Sequence, residues 1–94
     1  MKLSVILINH NSLNGLRLAL TSLQKAARNI PHEIIVVDNA STDNSVNMLN
    51  SEFPEVKLFI NSNKESLSHA SNMALQETRG QYILLLSPDI IVSA

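Results

Sequence analysis

The chain predicts an α/β doubly wound layer: a mostly parallel four-stranded sheet between helices in three layers. Three observations carry that expectation. Four short apolar runs, Leu3 to Ile8, Glu33 to Val37, Val56 to Ile60 and Tyr82 to Leu86, have strand length. The first, second and fourth are nearly continuous rather than alternating, as in strands of a parallel sheet covered on both faces. The segments between the runs carry helical spacing, so the order is β-α-β-α-β-α-β. Short right-handed crossovers then give the strand order 3-2-1-4, with the winding reversing between the first and fourth strands.

The elements follow in order. The segment Met1 to Asn9 has one lysine and a short apolar run interrupted by Ser4, below a signal-peptide core, and reads as the first strand. Leu13, Leu16, Leu20, Leu23 and Ala27 then recur at i, i+3, i+7, i+10 and i+14 with polar residues on another face, which predicts an amphipathic helix. Asn11 or Ser12 can cap its start, and Pro31 follows its end. After the second strand, Ser41-Thr42-Asp43 offers cap candidates and a first-turn acid. They open a short helix with Val46, Leu49 and Phe53 on one side, stopped by Pro54. A third helix starts near Ser66 or Ser68, turns Leu67, Ala70 and Ala74 inward, and ends at Gly80 as a left-handed cap.

Ninety-four residues make one domain, residues 1–94, which buries about 60 to 65% of its unfolded surface. With 45% hydrophobic residues but only three aromatics, the core must be aliphatic. The absence of cysteine excludes disulfides, thiolate metal sites and cysteine nucleophiles together. Seven basic against eight acidic side chains leave a net charge of −1, which gives no general attraction for nucleic acid. Apart from the first strand, the longest apolar run is Tyr82 to Leu86, far short of the ~20 residues of a spanning helix. No membrane span and a cytoplasmic location are expected.

In doubly wound sheets ligands bind outside the carboxyl ends of the strands, at the reversal point. Here every strand ends in polar residues: Asn9-His10-Asn11-Ser12, Asp38-Asn39-Ala40-Ser41-Thr42, Asn61-Ser62-Asn63-Lys64 and Ser87-Pro88-Asp89. Of the acids, only Asp38 and Asp89 sit at these ends, so two carboxylates face one cleft. Singly, each reads best as a turn or cap residue, since Asn, Ser and Asp satisfy turn backbones well. Four coincident polar ends weigh against that reading. No GxGxxG follows the first strand and no GxxxxGK[ST] occurs, so phosphate needs another partner. A divalent cation, magnesium or manganese, held by an acid such as Asp89 and shared with a diphosphate would supply it. His32 follows Pro31 in a loop and reads as surface, His69 reads as a solvated or packed residue of the third helix, and His10 is the histidine placed for a ligand.

Three segments together resemble a known family: Val5-Ile6-Leu7-Ile8-Asn9-His10-Asn11, Glu33-Ile34-Ile35-Val36-Val37-Asp38-Asn39-Ala40-Ser41-Thr42-Asp43-Asn44-Ser45, and Gly80-Gln81-Tyr82-Ile83-Leu84-Leu85-Leu86-Ser87-Pro88-Asp89. They are similar to the N-terminal, nucleotide-sugar-binding half of family-2 glycosyltransferases with the GT-A fold, a Rossmann-like half, particularly rhamnosyltransferase-like bacterial members. The resemblance runs from Leu3 to about Val92. It implies an inverting transfer of sugar from a nucleoside diphosphate to an acceptor hydroxyl, as in bacterial polysaccharide synthesis. By the same resemblance, Asp38 hydrogen-bonds the base, and Asn9, Asn11, Asn39 and Ser41 line the same loops. His10 stands where the family usually has a tyrosine near the base. Asn63, Asn72 and Pro88 fall on donor-site positions, and Asp89 matches the last acid of the DxD-type metal motif.

The chain departs from the family pattern in three ways. Ser87-Pro88-Asp89 lacks the first acid of DxD, which weakens the metal inference. Asn63-Lys64-Glu65-Ser66-Leu67 lacks the glycine of the family's Asn-x-Gly-Phe run, so that loop is expected to differ. In the family the general base and most of the acceptor site follow the metal motif, so no catalytic base is assigned within the 94 residues. The expectation is therefore a truncated donor-binding portion, inactive alone, with an exposed fourth-strand edge open to self-association. The alternative is a non-catalytic α/β binding or interaction domain whose polar loops only cap helices. A receiver-like phosphoacceptor domain is weaker, because Asn9-His10-Asn11 supplies no acidic pair.

Overall fold

The structure, a computed structural model, describes residues 2–62 and 67–86. Four strands, β1 (Leu3–Asn9), β2 (His32–Asn39), β3 (Lys57–Asn61) and β4 (Tyr82–Leu86), alternate with α1 (Leu13–Ala26), α2 (Ser45–Glu52) and α3 (Leu67–Leu75). All three strand pairings are parallel, in the order β3-β2-β1-β4, which is the expected order. Among the described residues no helix is long and apolar enough to cross a membrane.

Two apolar clusters sandwich the sheet because consecutive strand residues point to opposite faces. On one face Val5, Leu7, Ile34 and Val36 pack with Leu16, Leu20 and Leu23 of α1 and with Met48, Leu49 and the following Phe53. On the other, Ile6, Ile35 and Val37 pack with Ala70 and Ala74 of α3. Each fully buried aliphatic side chain contributes about 1.5–3 kcal/mol, so the two middle strands hold most of the apolar stabilisation. Small alanines on α3 let that helix lie close against β1 and β2.

Five local expectations are corrected. The near-continuous apolar run of β4 suggested burial on both faces, yet Tyr82, Ile83, Leu84 and Leu85 are 40 to 64% exposed. The reason is position: β4 is an edge strand, and the contacts of α3 fall on β1 and β2. Gly80 is not a helix cap, because α3 ends at Leu75 and no glycine among the described residues has positive φ. Its lack of a side chain serves a close approach instead: a Cβ there would lie 2.5 Å from the Ser4 backbone nitrogen. The second helix starts later than Ser41-Thr42-Asp43 suggested, with Asn44 in the cap position and no acid in its first turn. Its buried face is Met48 and Leu49, while Val46 is half-buried. His32 lies not in a loop but at the start of β2, where its Nδ1 donates to the Ile30 carbonyl at 2.7 Å.

At the amino end of the sheet Glu33, only 8% exposed, organises a second polar cluster. Its Oε2 accepts from Ser4 Oγ and from the Arg79 backbone N–H, each at 2.6 Å, and Ser4 Oγ accepts from the Gly80 N–H at 2.8 Å. Oε1 has no hydrogen bond of good geometry but lies 3.0 Å from Lys57 Nζ. Burial pushes the carboxyl up, but the bonds from Ser4 and Arg79 and the charge of the Lys57 ammonium outweigh it, and its pKa falls below the ordinary value.

Candidate functional site

Asn9 is the last residue of β1, and Asp38 and Asn39 are the last two of β2, so these residues are held by strands rather than loops. The parallel register pairs Asn9 with Asp38. Asn9 Nδ2 donates to Asp38 Oδ1 at 3.0 Å and to Ser41 Oγ at 3.2 Å, while Ser41 N–H donates to Asp38 Oδ2 at 3.1 Å. Asp38 is 1% exposed and Asn9 fully buried, so these bonds offset the desolvation of both. Asn9 Oδ1 is buried with no partner, an open acceptor among the described residues.

Left-handed residues follow both strands closely: Asn11 has φ 51° and Ala40 φ 58°. Asn tolerates that conformation, whereas for Ala it costs about 1 kcal/mol. The turns bring the two loops together. Asn11 N–H donates to Ser41 Oγ at 2.9 Å, and Asn11 Oδ1 accepts from the N–H groups of Thr42 at 2.6 Å and Asp43 at 3.1 Å. His10 is exposed, with Nδ1 2.6 Å from the Asn39 carbonyl oxygen. A carbonyl only accepts, so Nδ1 carries the proton and Nε2 is an acceptor in the neutral ring. Asn61, ending β3, donates from Nδ2 to Asn39 Oδ1 at 3.3 Å and extends the polar row across a third strand.

The structure thus brings together Asn9, His10, Asn11, Asp38, Asn39 and Ser41. Asn72 is exposed on α3, with no hydrogen bond to this cluster among the described residues. Asn63, Pro88 and Asp89 lie outside the described residues. Asp43, which the sequence offered as a cap candidate and first-turn acid for the second helix, also reaches α1. Its Oδ2 accepts from Leu13 N–H at 3.2 Å and its Oδ1 from Ser45 N–H at 3.0 Å, so one carboxylate caps two helices. The Asn11 or Ser12 cap expected for α1 is absent: Ser12 occupies the cap position but its hydroxyl bonds the His10 carbonyl. A short acidic residue just ahead of a helix was the available signal for Asp43. Nothing local marks Ala40 as left-handed.

Among the described residues no three His, Asp or Glu side chains form a metal-holding group. Both Asp38 oxygens already accept hydrogen bonds from Asn9 and Ser41, a donor set suited to orienting a carboxylate rather than to caging a cation. A separate cleft lined by Gln24, His32, Glu33, Ile34 and Glu55 lies at the opposite end of β2.

The profile of glycosyl transferase family 2 matches residues 4–94. The chain belongs to that family. The uncharacterized glycosyltransferase YfnE of Bacillus subtilis (strain 168) is 32% identical over 96 residues, covering 99% of this chain and 24% of the relative. S. aureus TarS, residues 1–349, superposes with a TM-score of 0.80 at 27% identity over 99% of this chain and 29% of that one. TarS in complex with UDP-GlcNAc gives 0.77 at 28% identity, over 95% and 27%. The mannosyltransferase PcManGT from Pyrobaculum calidifontis, in complex with GDP-Man and Mn2+, gives 0.77 at 23% identity over 96% of this chain and 28% of that one, a likeness of fold. The chain therefore spans about a quarter of the length of the relatives it matches. The order β3-β2-β1-β4 with helices on both faces is the family-2 domain's GT-A-like arrangement.

Proposed function

We propose that this family-2 domain binds the nucleoside diphosphate of a sugar-nucleotide donor at the carboxyl ends of β1 and β2, as the donor half of an inverting glycosyltransferase. The observation that carries the reading is the Asn9, Asp38 and Ser41 cluster, a buried carboxylate pre-oriented by two donors beside an open acceptor, Asn9 Oδ1. In this role Asp38 and Asn9 read the base edge, the exposed His10 ring lies along the base, and Asn11, Asn39 and Ser41 hold the two loops. Asn63, Asn72 and Pro88 complete the donor surface, and Asp89 holds a magnesium or manganese ion. Bound there, the ion would supply positive charge that offsets the charge of the diphosphate. The solved complex of TarS with UDP-GlcNAc supports the donor class. The reading assigns donor binding without turnover to these residues alone.

A second reading has its own support: most polar atoms of the cluster are already satisfied within the protein, as a non-catalytic interaction domain with well-stitched loops requires. An amide-resolved NMR titration with UDP, dTDP and GDP, each with and without magnesium or manganese, separates the two. Metal-dependent, saturable shifts centred on His10 and Asp38, abolished by Asp89→Ala, are expected for the donor site. A dispersed spectrum with no saturable shift up to millimolar nucleotide would sink the donor reading in favour of the interaction domain.

A further inference from the structure

The Glu33 cluster lies at the opposite end of the sheet from the donor site, and the proposed function makes no use of it. Its hydrogen bonds join residues 79 and 80 to β1 and β2. Edge strand β4 has apolar side chains exposed on both faces, and α3 makes its contacts with β1 and β2. Among the described residues β4 is held by its ladder with β1, by Leu86 at its end, which packs against the core, and by the polar attachment just ahead of it. That attachment runs through one carboxylate: Glu33 Oε2 accepts from Arg79 N–H and Ser4 Oγ, and Ser4 Oγ accepts from Gly80 N–H. The missing side chain of Gly80 is what lets the segment approach β1 so closely.

We propose that Glu33 and Ser4 form a latch that makes β4 a separately opening unit of the sheet, closed while residues 79 and 80 are bonded to it. A ladder strand with little buried apolar surface sits at the low-stability end of a fold and opens locally, while β1 and β2, packed on both faces, open only with the whole domain. The latch itself is independent of whether a donor binds.

Amide hydrogen exchange read by NMR on the whole chain tests it, comparing Arg79, Gly80, Tyr82, Leu84 and Leu86 with core amides of β1 and β2. Glu33→Ala is expected to lower protection from Arg79 to Leu86 by tenfold or more while β1 and β2 change by less than threefold. Glu33→Gln, which keeps an acceptor at the same reach, should restore most of the difference. Ser4→Ala, which removes the acceptor for Gly80 and one donor to Glu33 but leaves the Arg79 bond, should give a smaller loss confined to the same residues, and it decides the question if Glu33→Ala does not fold. Equal losses in all strands, or none in β4, would overturn the latch.

Discussion

Asn9 and Asp38, paired in register at the ends of the two central strands, are joined side chain to side chain at 3.0 Å across 29 residues of sequence. The bond matters because both groups are buried and Asp38 Oδ1 has Asn9 Nδ2 as its partner. Asn9→Ala leaves that oxygen without its donor, and the expected loss is about 1–3 kcal/mol of folding free energy, measured by urea denaturation. If the cluster also binds nucleotide, the same variant weakens UDP-type binding by at least tenfold even at temperatures where it is fully folded. Unchanged stability would show that water replaces the amide at no cost.

Asp43 joins the starts of α1 and α2. Removing a side-chain cap costs about 1 kcal/mol, and here one substitution removes two, so Asp43→Ala is expected to lose about 1–2 kcal/mol. Circular dichroism during urea unfolding, with exchange at Leu13 and Ser45, checks it. A loss confined to α2 would mean that the 3.2 Å contact with α1 is incidental.

The same carboxylate and Glu33 set the acid limb of stability. For Asp43, burial opposes ionisation, but the bonds from Ser45 and Leu13 hold its pKa below the ordinary aspartate value; for Glu33 the bonds from Ser4 and Arg79 and the Lys57 ammonium do the same relative to an ordinary glutamate. A carboxyl that is more acidic folded than unfolded stabilises the native state above its unfolded value. That contribution disappears as pH falls through the folded one. Stability should be level in these two contributions above about pH 5 and decline below about pH 4.5, with a shallower decline in Asp43→Asn. An acid limb of the same steepness in that variant would remove Asp43 from the account.

Two backbone positions make opposite demands. At Gly80 an added methyl would lie 2.5 Å from Ser4 N and 2.7 Å from Leu3 C, both backbone atoms, so Gly80→Ala is expected to destabilise by about 1–3 kcal/mol. At Ala40, φ of 58° strains an L-residue, so Ala40→Gly should raise stability by up to about 1 kcal/mol despite the looser unfolded chain. Thermal unfolding of both variants beside the parent reads the two signs directly, and a stabilising Gly80→Ala would refute the close approach.

The outer edge of β4 carries no charge, proline or bulge from Tyr82 to Leu86, none of the features that guard exposed edges. A second copy of the chain, paired along this strand, is the expected occupant at high concentration. Light scattering coupled to gel filtration should show mass rising above one chain toward two between micromolar and near-millimolar protein, and Leu85→Lys should abolish the rise. A constant monomer mass over that range would dismiss the pairing.

The sequence by itself determined the element order, the parallel sheet, the strand order and the polar residues at the strand ends. Each of these rests on spacing within a dozen residues or on chirality rules common to all chains. The continuous runs of β1 and β2 were read as buried, and they are. The equally apolar run of β4 reads the same way and is exposed, because burial depends on what neighbours an element has, and an edge has fewer. Only the tertiary structure decided that Asn9 bonds Asp38, that Asp43 caps two helices, and that Glu33 ties residues 79 and 80 to β1. Apart from the local bond between Asp43 and Ser45, these contacts join residues 29 to 76 positions apart, and no local periodicity encodes a hydrogen bond between groups that meet only once the sheet has formed.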